Sequence, residues 1–402
     1  MRANDEEILL QSNTDVHSIA ECVWLDEALS SQGLEFDLDS ERRLAGGCHY
    51  VVLRGALVPS GQGEVVVKWI SGDARAPERA WIRLMLGLNR DGQRRVQLLR
   101  SFVVEASFYR DLSNRVEGLR VPKASFVHSD PWRQRFATVM EAVPDRASET
   151  GESEGFSAEN AATCLRRLAE FHASWWGVPL PAGARVWDRG GFWGGDMKRA
   201  AKLEVCDRWS DAFANHRFDP AHEALGRLLE PHVEAILAEV DSMPSPTLIH
   251  GDFKVTNLFV DTEGRGSDGE VWAIDWQWLG RGSPVVDSVL FLLTSVHADL
   301  VTKDAIRELV EREHHDQLVR SGVTGYSFDQ MWSEWMWVAA DFLLYVVTCK
   351  WYRMTSADVS AYADEGKDGF HLRSVDHMDR IVTLVREFLP DLGLSAPPVQ
   401  YP

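Results

Sequence analysis

The chain is poor in the features that mark secreted, zinc-binding and targeted proteins. Its 402 residues include five cysteines, which are odd in number, widely spaced and free of any C-x-x-C pair, so neither a disulfide framework nor a zinc knuckle is indicated. The first twenty residues carry four acidic side chains and lack a basic start followed by an apolar core, which does not fit a secretory or mitochondrial targeting peptide. We therefore expect a cytoplasmic protein.

Long hydrophobic runs and an excess of basic charge are also lacking. The most apolar helical stretch, Met336 to Tyr352, is interrupted by Asp341 and is shorter than the ~20 apolar residues that span a bilayer, so we expect a buried helix and no membrane association. Lys and Arg number 42 against 61 Asp and Glu, for a net charge of −19. This balance disfavours nucleic-acid binding, and no sequence feature indicates an obligate protein partner.

The order of predicted elements favours an α+β protein with two lobes. Segment 43–70 alternates as two strands around a Gly-rich turn, a helix with one apolar face follows, and two further strands are predicted over 121–128 and 136–143. A polar run with turn chemistry comes next, and Ser157 is suited to cap the helix after it. We predict three parts: a small β-rich N-terminal lobe over 1–143, a hinge over 144–160 and a larger, mainly helical C-terminal lobe over 161–402.

Polar residues are concentrated in the loop "HGDFKVTN", residues 250–257, between two short apolar runs. Phosphoryl transfer requires metal ions with oxygen ligands, a cation on the nucleotide phosphates and a base near the acceptor hydroxyl. The spacing of Asp252 and Asn257 lets one loop present a carboxylate to an acceptor and an amide oxygen to a metal. Asp275 directly follows the apolar run 271–274, so we expect it at a strand end within reach of the same metal. These residues predict a phosphoryl-transfer site.

Three motifs in this order resemble those of the aminoglycoside phosphotransferase and choline kinase superfamily. The loop has its H-G-D-x-x-x-x-N pattern, "AIDW" matches its metal-binding I-D-W segment, and "GSPVVD", residues 282–287, matches its G-x-P-x-x-D pattern. "IDWQ" together with "FHASWW" upstream is most similar to the ecdysteroid kinase-like branch. The resemblance implies a bilobal, protein-kinase-like fold and a small-molecule kinase, with ATP or GTP as the donor and magnesium as the cofactor.

The resemblance also implies a role for each residue of these motifs. It makes Asp252 the catalytic base, Asn257 and Asp275 the metal ligands, and His250 and Asp287 the residues that support the loop.

Two other residues near the motifs have less specific signals. Lys254 lies where protein kinases place a catalytic-loop lysine that neutralises charge on the transferred group, and it is equally interpreted as a solvated loop lysine. His172 adjoins the apolar face of a predicted helix and is interpreted as a packing histidine rather than a ligand.

The N-terminal lobe contains the expected nucleotide-binding residues. Lys68 interrupts an apolar strand, where the resemblance places the lysine that holds the α- and β-phosphates, and Glu105 in the following helix is its expected partner. Gly46 and Gly47 are expected to let the backbone approach the phosphates closely. The segment that follows the strand "FATV" is expected to bind adenine through its backbone and consists of Met140, Glu141, Ala142 and Val143.

The sequence is compatible with other functions and with several kinds of acceptor. A nucleotide-binding pseudokinase would lack a catalytic or metal-binding residue, yet every expected one is present. A protein kinase is disfavoured because Gly251 replaces the arginine of H-R-D and no A-P-E segment follows. The acidic charge would suit an aminoglycoside, whereas the tryptophans from Trp175 onward would suit an apolar or aromatic alcohol. The resemblance to the ecdysteroid kinase-like branch favours the less polar hydroxyl compound.

Overall fold

The computed structural model describes these parts of the chain: residues 23–32, 34–47, 50–58, 65–71, 90–133, 135–144, 147–149, 155–194, 196–215, 222–261, 269–353 and 375–394. The chain divides into two compact units, one formed by 1–115, 121–144 and 181–186, the other by 116–120, 145–180 and 187–402. Neither unit is continuous in sequence. Residues 116–120 interrupt the first unit but pack with the second, and residues 181–186 interrupt the second unit but pack with the first.

The first unit is built on a five-stranded antiparallel sheet with the strand order β1-β2-β3-β5-β4. Its elements are α1 (Val23–Ser30), β1 (Glu35–Gly47), β2 (Tyr50–Val58), β3 (Val65–Ser71), α2 (Arg90–Ser107), β4 (Ala124–Asp130) and β5 (Arg135–Glu141). Strands β2 and β3 form the predicted hairpin. Strand β1 was not predicted, since the alternation in "EFDLDSERR" is limited to Phe36 and Leu38 and is followed by the polar run 39–43.

Strand alternation directs the side chains of β3 to the two faces of this sheet. Val65, Val67 and Trp69 are buried in one apolar cluster with Leu25 and Leu29 of α1. The intervening Lys68 points to the other face, where α2 packs against β4 and β5. This register therefore places one buried lysine beside the helix that follows the hairpin.

The second unit is mainly helical. Its helices are α3 (Ala158–Ser174), α4 (Asp196–Lys202), α5 (Val205–Asn215), α6 (Leu225–Leu229), α7 (Val233–Ser242), α8 (Val285–Thr294), α9 (Lys303–Leu309), α10 (Asp316–Arg320), α11 (Phe328–Cys349) and α12 (Val375–Phe388). Its strands are β6 (Ser148–Glu149), β7 (Thr247–Ile249), β8 (Leu258–Asp261), β9 (Glu270–Ala273) and β10 (Gly280–Gly282). The chain is thus α+β, and each unit differs from the other in its share of strand.

Helix α11 is the centre of the second unit's core. It is the buried helix predicted from the apolar stretch, and it packs against α4, α5, α7, α8 and α12. Asp341 within it is buried and bonds Lys202 of α4 at 2.6 Å, which explains how a carboxylate is tolerated there. Among the helices of the described residues, none has the length and apolar character needed to cross a membrane.

The predicted hinge contains regular structure. Strand β6 pairs with β8, and α3 begins at Ala158, inside the expected hinge segment, because the hydroxyl of Ser157 accepts a hydrogen bond from the amide of Asn160 as an N-cap. The polar segment that was predicted as a hinge therefore contains the start of α3.

Two short antiparallel pairs position the polar motifs. Strand β7 pairs with β10, and β8 pairs with β9. The loop 250–257 connects β7 to β8, while residues 274–279 connect β9 to β10. Because the two connections join the same two strand pairs, they lie side by side.

Candidate active site

The buried carboxylate of Asp287 holds the start of the 250–257 loop. Its Oδ2 accepts the amide of His250 and its Oδ1 accepts the amide of Gly251, both at 2.7 Å. Asp287 lies in the first turn of α8 and is fully buried, and His172 of α3 reaches its Oδ2 at 3.1 Å. A buried carboxylate with several donors is fixed in position, so the loop backbone is fixed with it.

Gly251 is required by the close packing of this loop. Its φ is +80°, and a Cβ at this position would lie 2.3 Å from the carbonyl oxygen of Trp278 and 2.7 Å from the amide nitrogen of Gly191. Both neighbours are backbone atoms, so no side chain can move aside for an added methyl group. This contact gives the physical reason why the loop has H-G-D rather than H-R-D.

Ile274 connects the loop to the residue expected to bind metal. The Nε2–H of His250 donates to the carbonyl of Ile274 at 2.9 Å, and the amide of Ile274 donates to the carbonyl of Asn257 at 3.0 Å. The Nδ1 of His250 accepts the amide of Asp252 at 3.2 Å, and burial lowers the pKa of His250. Ile274 therefore joins both ends of the loop to the residue before Asp275: the neutral imidazole of His250 bonds its carbonyl, and the carbonyl of Asn257 accepts its amide.

Asp252 is buried and is oriented by Asn257. The Nδ2 of Asn257 donates to the carbonyl of Asp252 at 2.8 Å and to its Oδ2 at 3.1 Å, which turns the Oδ1 of Asn257 away from the aspartate. Burial raises the pKa of Asp252, the nearby Lys254 and His250 oppose this rise, and Asp275 adds to it. A carboxylate with a raised pKa takes up a proton more readily, as a general base requires.

Asp275 has a backbone conformation that ordinary residues avoid. At φ 63° and ψ 56° it is left-handed, and it alone among the described non-glycine residues has a positive φ. Such strain costs roughly 1–3 kcal/mol and is concentrated at functional sites. The conformation bends the chain after β9 into the turn 276–278, so the carboxylate stands at a defined point beside the loop.

Asn257 and Asp275 are a chemically suitable pair for magnesium. Both offer oxygen ligands, and Mg²⁺ is usually bound by one or two protein groups, with substrate phosphates and water completing its six positions. The described residues contain no group of three or more His, Cys, Asp or Glu side chains arranged to hold a metal. The two oxygen donors present fit a magnesium ion that arrives with a nucleotide.

Lys254 lies at the aspartate. Its Nζ is 3.4 Å from Oδ1 of Asp252, and its side chain is 22% exposed. The same Nζ lies 6.0 Å from the ring centre of Phe192. Lys254 is thus partly buried beside Asp252, and its part in the transfer stays a prediction.

The first unit contains the groups expected to bind the nucleotide. Lys68 and Glu105 form an ion pair of 2.9 Å, and both side chains are buried. Gly46 and Gly47 end β1 at its turn into β2. Met140 and Glu141 end β5.

The predicted adenine-binding segment is partly engaged in its own sheet. The amide of Glu141 donates to the carbonyl of Lys123 at 3.0 Å, and its carboxylate accepts the amide of the same lysine at 3.0 Å. The amide of Glu141 is therefore not available to adenine. A donor would have to come from Ala142 or Val143, the residues that follow β5.

His172 has a larger role than its sequence pattern indicated. It is buried, as expected of a packing histidine, but its Nε2 bonds Asp287 and its Nδ1 bonds His314 at 3.2 Å. Burial lowers the pKa of His314 well below its usual value. The chain of hydrogen bonds from His314 to the loop amides joins four separate segments, and the sequence did not predict it.

The comparison with protein families supports the resemblance that the motifs predicted. The model of the ecdysteroid kinase-like family matches residues 196–321. This segment is less than a third of the chain and contains the loop 250–257, Asp275 and Asp287. The predicted resemblance is therefore confirmed over the part of the chain that holds these motifs. No curated protein sequence matches the chain.

Several solved structures resemble the chain at low sequence identity. One is the apoenzyme of a macrolide 2'-phosphotransferase from Brachybacterium faecium, with 14% identity, coverage of 82% of this chain and 98% of that one, and a TM-score of 0.44. Another is the GDP complex of wild-type aminoglycoside 2'-phosphotransferase-IIIa, with 14% identity, 94% and 99% coverage, and a TM-score of 0.48. A third is an ethanolamine kinase from Plasmodium vivax, with 11% identity, 95% and 94% coverage, and a TM-score of 0.43.

Proposed function

We propose that the protein is a kinase that transfers a phosphoryl group from ATP, or from GTP, to a hydroxyl group of a small molecule with the help of magnesium. The observation that carries the proposal is the convergence of Asp252, Asn257 and Asp275 through the backbone of Ile274. A base, an amide oxygen and a carboxylate in one place are the groups that this reaction needs.

Each residue has a stated task in this reaction. Asp252 accepts a hydrogen bond from the acceptor hydroxyl and takes its proton as the oxygen attacks the terminal phosphorus. The bond from that phosphorus to the oxygen bridging the β-phosphate breaks, and ADP or GDP leaves. Asn257 and Asp275 would hold magnesium, which neutralises charge on the phosphate oxygens when it is bound. Lys254 places a positive charge next to Asp252, where it would neutralise negative charge on the transferred phosphoryl group. Lys68, oriented by Glu105, would hold the nucleotide phosphates.

A pseudokinase is the alternative function. A pseudokinase would be expected to have lost a base, a metal ligand or the lysine–glutamate pair. The residues proposed for these roles are all present, Lys68 is paired with Glu105, and Asn257 bonds Asp252. The raised pKa of Asp252 also favours catalysis over nucleotide binding alone.

The experiment that tests the proposal is a screen of the purified protein with ATP or GTP and magnesium. The acceptor panel should contain apolar and aromatic alcohols, aminoglycosides, macrolides and choline-like compounds, with products identified by mass spectrometry. We expect a phosphorylated product from at least one acceptor. Binding of nucleotide with no phosphorylated acceptor and no hydrolysis would favour the pseudokinase.

Lys68→Met is expected to weaken nucleotide binding by about tenfold or more, because a charge-assisted hydrogen bond to phosphate contributes roughly 1.5–3 kcal/mol. Glu105→Gln keeps the shape of the partner but removes its charge, so we expect a smaller loss. If Glu105 acts by orienting Lys68, it has no further effect in the double variant. Equal and additive losses, measured by nucleotide titration, would contradict this coupling.

Lys254→Met is expected to shift the acidic limb of the pH–rate profile to higher pH. Lys254 lowers the pKa of Asp252, so its removal lets that pKa rise further, and the base is active only when deprotonated. The measurement is kcat/KM against pH for the variant and for wild type. Lys123→Met, which changes an exposed lysine of the first unit, should leave the limb in place. An unshifted limb in Lys254→Met would show that this lysine is a bystander.

A further inference from the structure

Lys198 of α4 directs its amine into a group of three aromatic rings. Its Nζ lies 5.2 Å from the ring centre of Phe192, 5.5 Å from that of Trp278 and 5.4 Å from that of Tyr345. These distances are within the ~6 Å range of cation–π attraction. We call Phe192, Trp278 and Tyr345 the aromatic box.

The amine has no polar partner among the described residues. It makes no hydrogen bond or ion pair with any of them. Lys202, one turn further along α4, differs sharply, because it bonds Asp341 of α11 at 2.6 Å. Tyr345 lies one turn after Asp341 on α11. Helix α11 therefore offers a carboxylate to Lys202 and an aromatic ring to Lys198. Lys198 is partly buried, and its three N–H donors find no acceptor within the part of the chain that the structure describes.

The aromatic box borders the catalytic loop. Gly251 lies against the carbonyl of Trp278 and the amide of Gly191, the residue before Phe192. The ring of Phe192 also has the amine of Lys254 6.0 Å from its centre, and that amine contacts Asp252 at 3.4 Å. Two of the three rings therefore belong to segments that touch the loop of the proposed base.

The environment of Lys198 disfavours its charged form. Desolvation lowers its pKa to about 7, the neighbouring Lys202 and Lys350 act in the same direction, and Cys349 and Asp252 oppose them. A hydrogen-bond acceptor brought to the amine would restore part of the lost solvation. A second cation brought to the box would meet both repulsion from the amine and rings that are already occupied.

We propose that Lys198 is the specificity-determining residue of the acceptor site, and that it selects apolar alcohols that carry an acceptor oxygen, such as a carboxylate, and excludes alcohols that carry an ammonium group. The three rings provide the apolar surface and the ammonium group binds the oxygen. This assignment rests on the proposed function, since the box is an acceptor site only if Asp252 is the base. Aminoglycosides are then poor acceptors despite the net charge of −19.

The test compares two alcohols that differ in charge, para-hydroxymethylbenzoate and para-hydroxymethyl-N,N,N-trimethylanilinium. Binding of each is measured by titration calorimetry at constant ionic strength, without nucleotide. Wild type should bind the benzoate at least ~tenfold more tightly than the anilinium. Lys198→Met should abolish the preference, because it removes the charge that binds the carboxylate while its side chain still fills the box.

Arg199→Ala is the matched control. Arg199 is the next residue of α4 and pairs instead with Glu234 and Asp241, so its loss changes the charge of the helix but not the box. It should keep the wild-type preference. Lys198→Ala, with an emptied box, should also bind tetramethylammonium more tightly than wild type does.

Two outcomes would overturn the assignment. One is a wild-type protein that binds the anilinium as tightly as the benzoate, or binds no benzoate at millimolar concentration, a result that needs no variant to fold. The other is a folded Lys198→Met that keeps the wild-type preference. These titrations contain no nucleotide, so their outcome is independent of phosphoryl transfer. A charge preference in binding without any phosphorylated product would count against the proposed function alone. A phosphorylated product without the charge preference would count against the role of Lys198 alone.

Discussion

Asp252→Asn is expected to lower kcat by roughly 100- to 10,000-fold, the usual contribution of a general base. The asparagine keeps the size of the side chain and can still accept the hydrogen bond from Asn257, so the loop should keep its shape. It cannot take a proton from an alcohol. Nucleotide affinity and melting temperature should therefore remain close to those of wild type, which assigns the loss to the chemical step.

Asp299→Asn is a suitable control for this variant. Asp299 is an exposed carboxylate that contacts Arg380, and its amide analogue should retain full activity. An Asp252→Asn enzyme that turns over within a few-fold of wild type would show that the proton leaves by another route, and the role given to this loop would be wrong.

Asp275→Gly is expected to separate activity from stability. Glycine adopts a positive φ without strain, so the left-handed conformation at this position is kept at lower cost. We expect the free energy of unfolding to stay within about 1 kcal/mol of wild type or to rise. Activity should fall by about 100-fold or more, since the carboxylate expected to hold magnesium is lost.

Asp275→Asn completes this comparison. Asparagine also tolerates the left-handed region and keeps one oxygen ligand, so part of the activity should return at high magnesium concentration, whereas the glycine variant should not respond. If the glycine variant retained activity, Asp275 would not be a metal ligand. If it unfolded, its backbone conformation would not be the strained feature.

The sequence was most informative where chemistry depends on local spacing. Asp252, Asn257 and Asp275 could be predicted as a group because five residues of loop and one strand end fix their separation. Lys68 could be placed because strand alternation leaves a single lysine in an apolar run. The helix start at Ser157 followed from its capping chemistry.

The parts that could not be predicted depend on contacts between distant segments. The bond between His172 and Asp287 joins residues 115 positions apart, and a buried histidine in a helix carries no signal of its partner. Lys198 looked like any helical lysine, because the rings around it come from three separate segments. Strand β1 was not predicted because its alternation is limited to Phe36 and Leu38 before a polar run, and its pairing with β2 supplies the stability that local propensity lacks.

The most direct test of the central claim follows the terminal phosphate of ATP. The protein is incubated with labelled nucleotide, magnesium and the best acceptor of the panel, alongside Asp252→Asn and Asp299→Asn. We predict magnesium-dependent appearance of the label as a phosphate ester on the acceptor hydroxyl, with wild-type rates in Asp299→Asn and a rate reduced by orders of magnitude in Asp252→Asn. Equal labelling by wild type and Asp252→Asn, or label that reaches only water while the acceptor stays unmodified, would contradict the assignment.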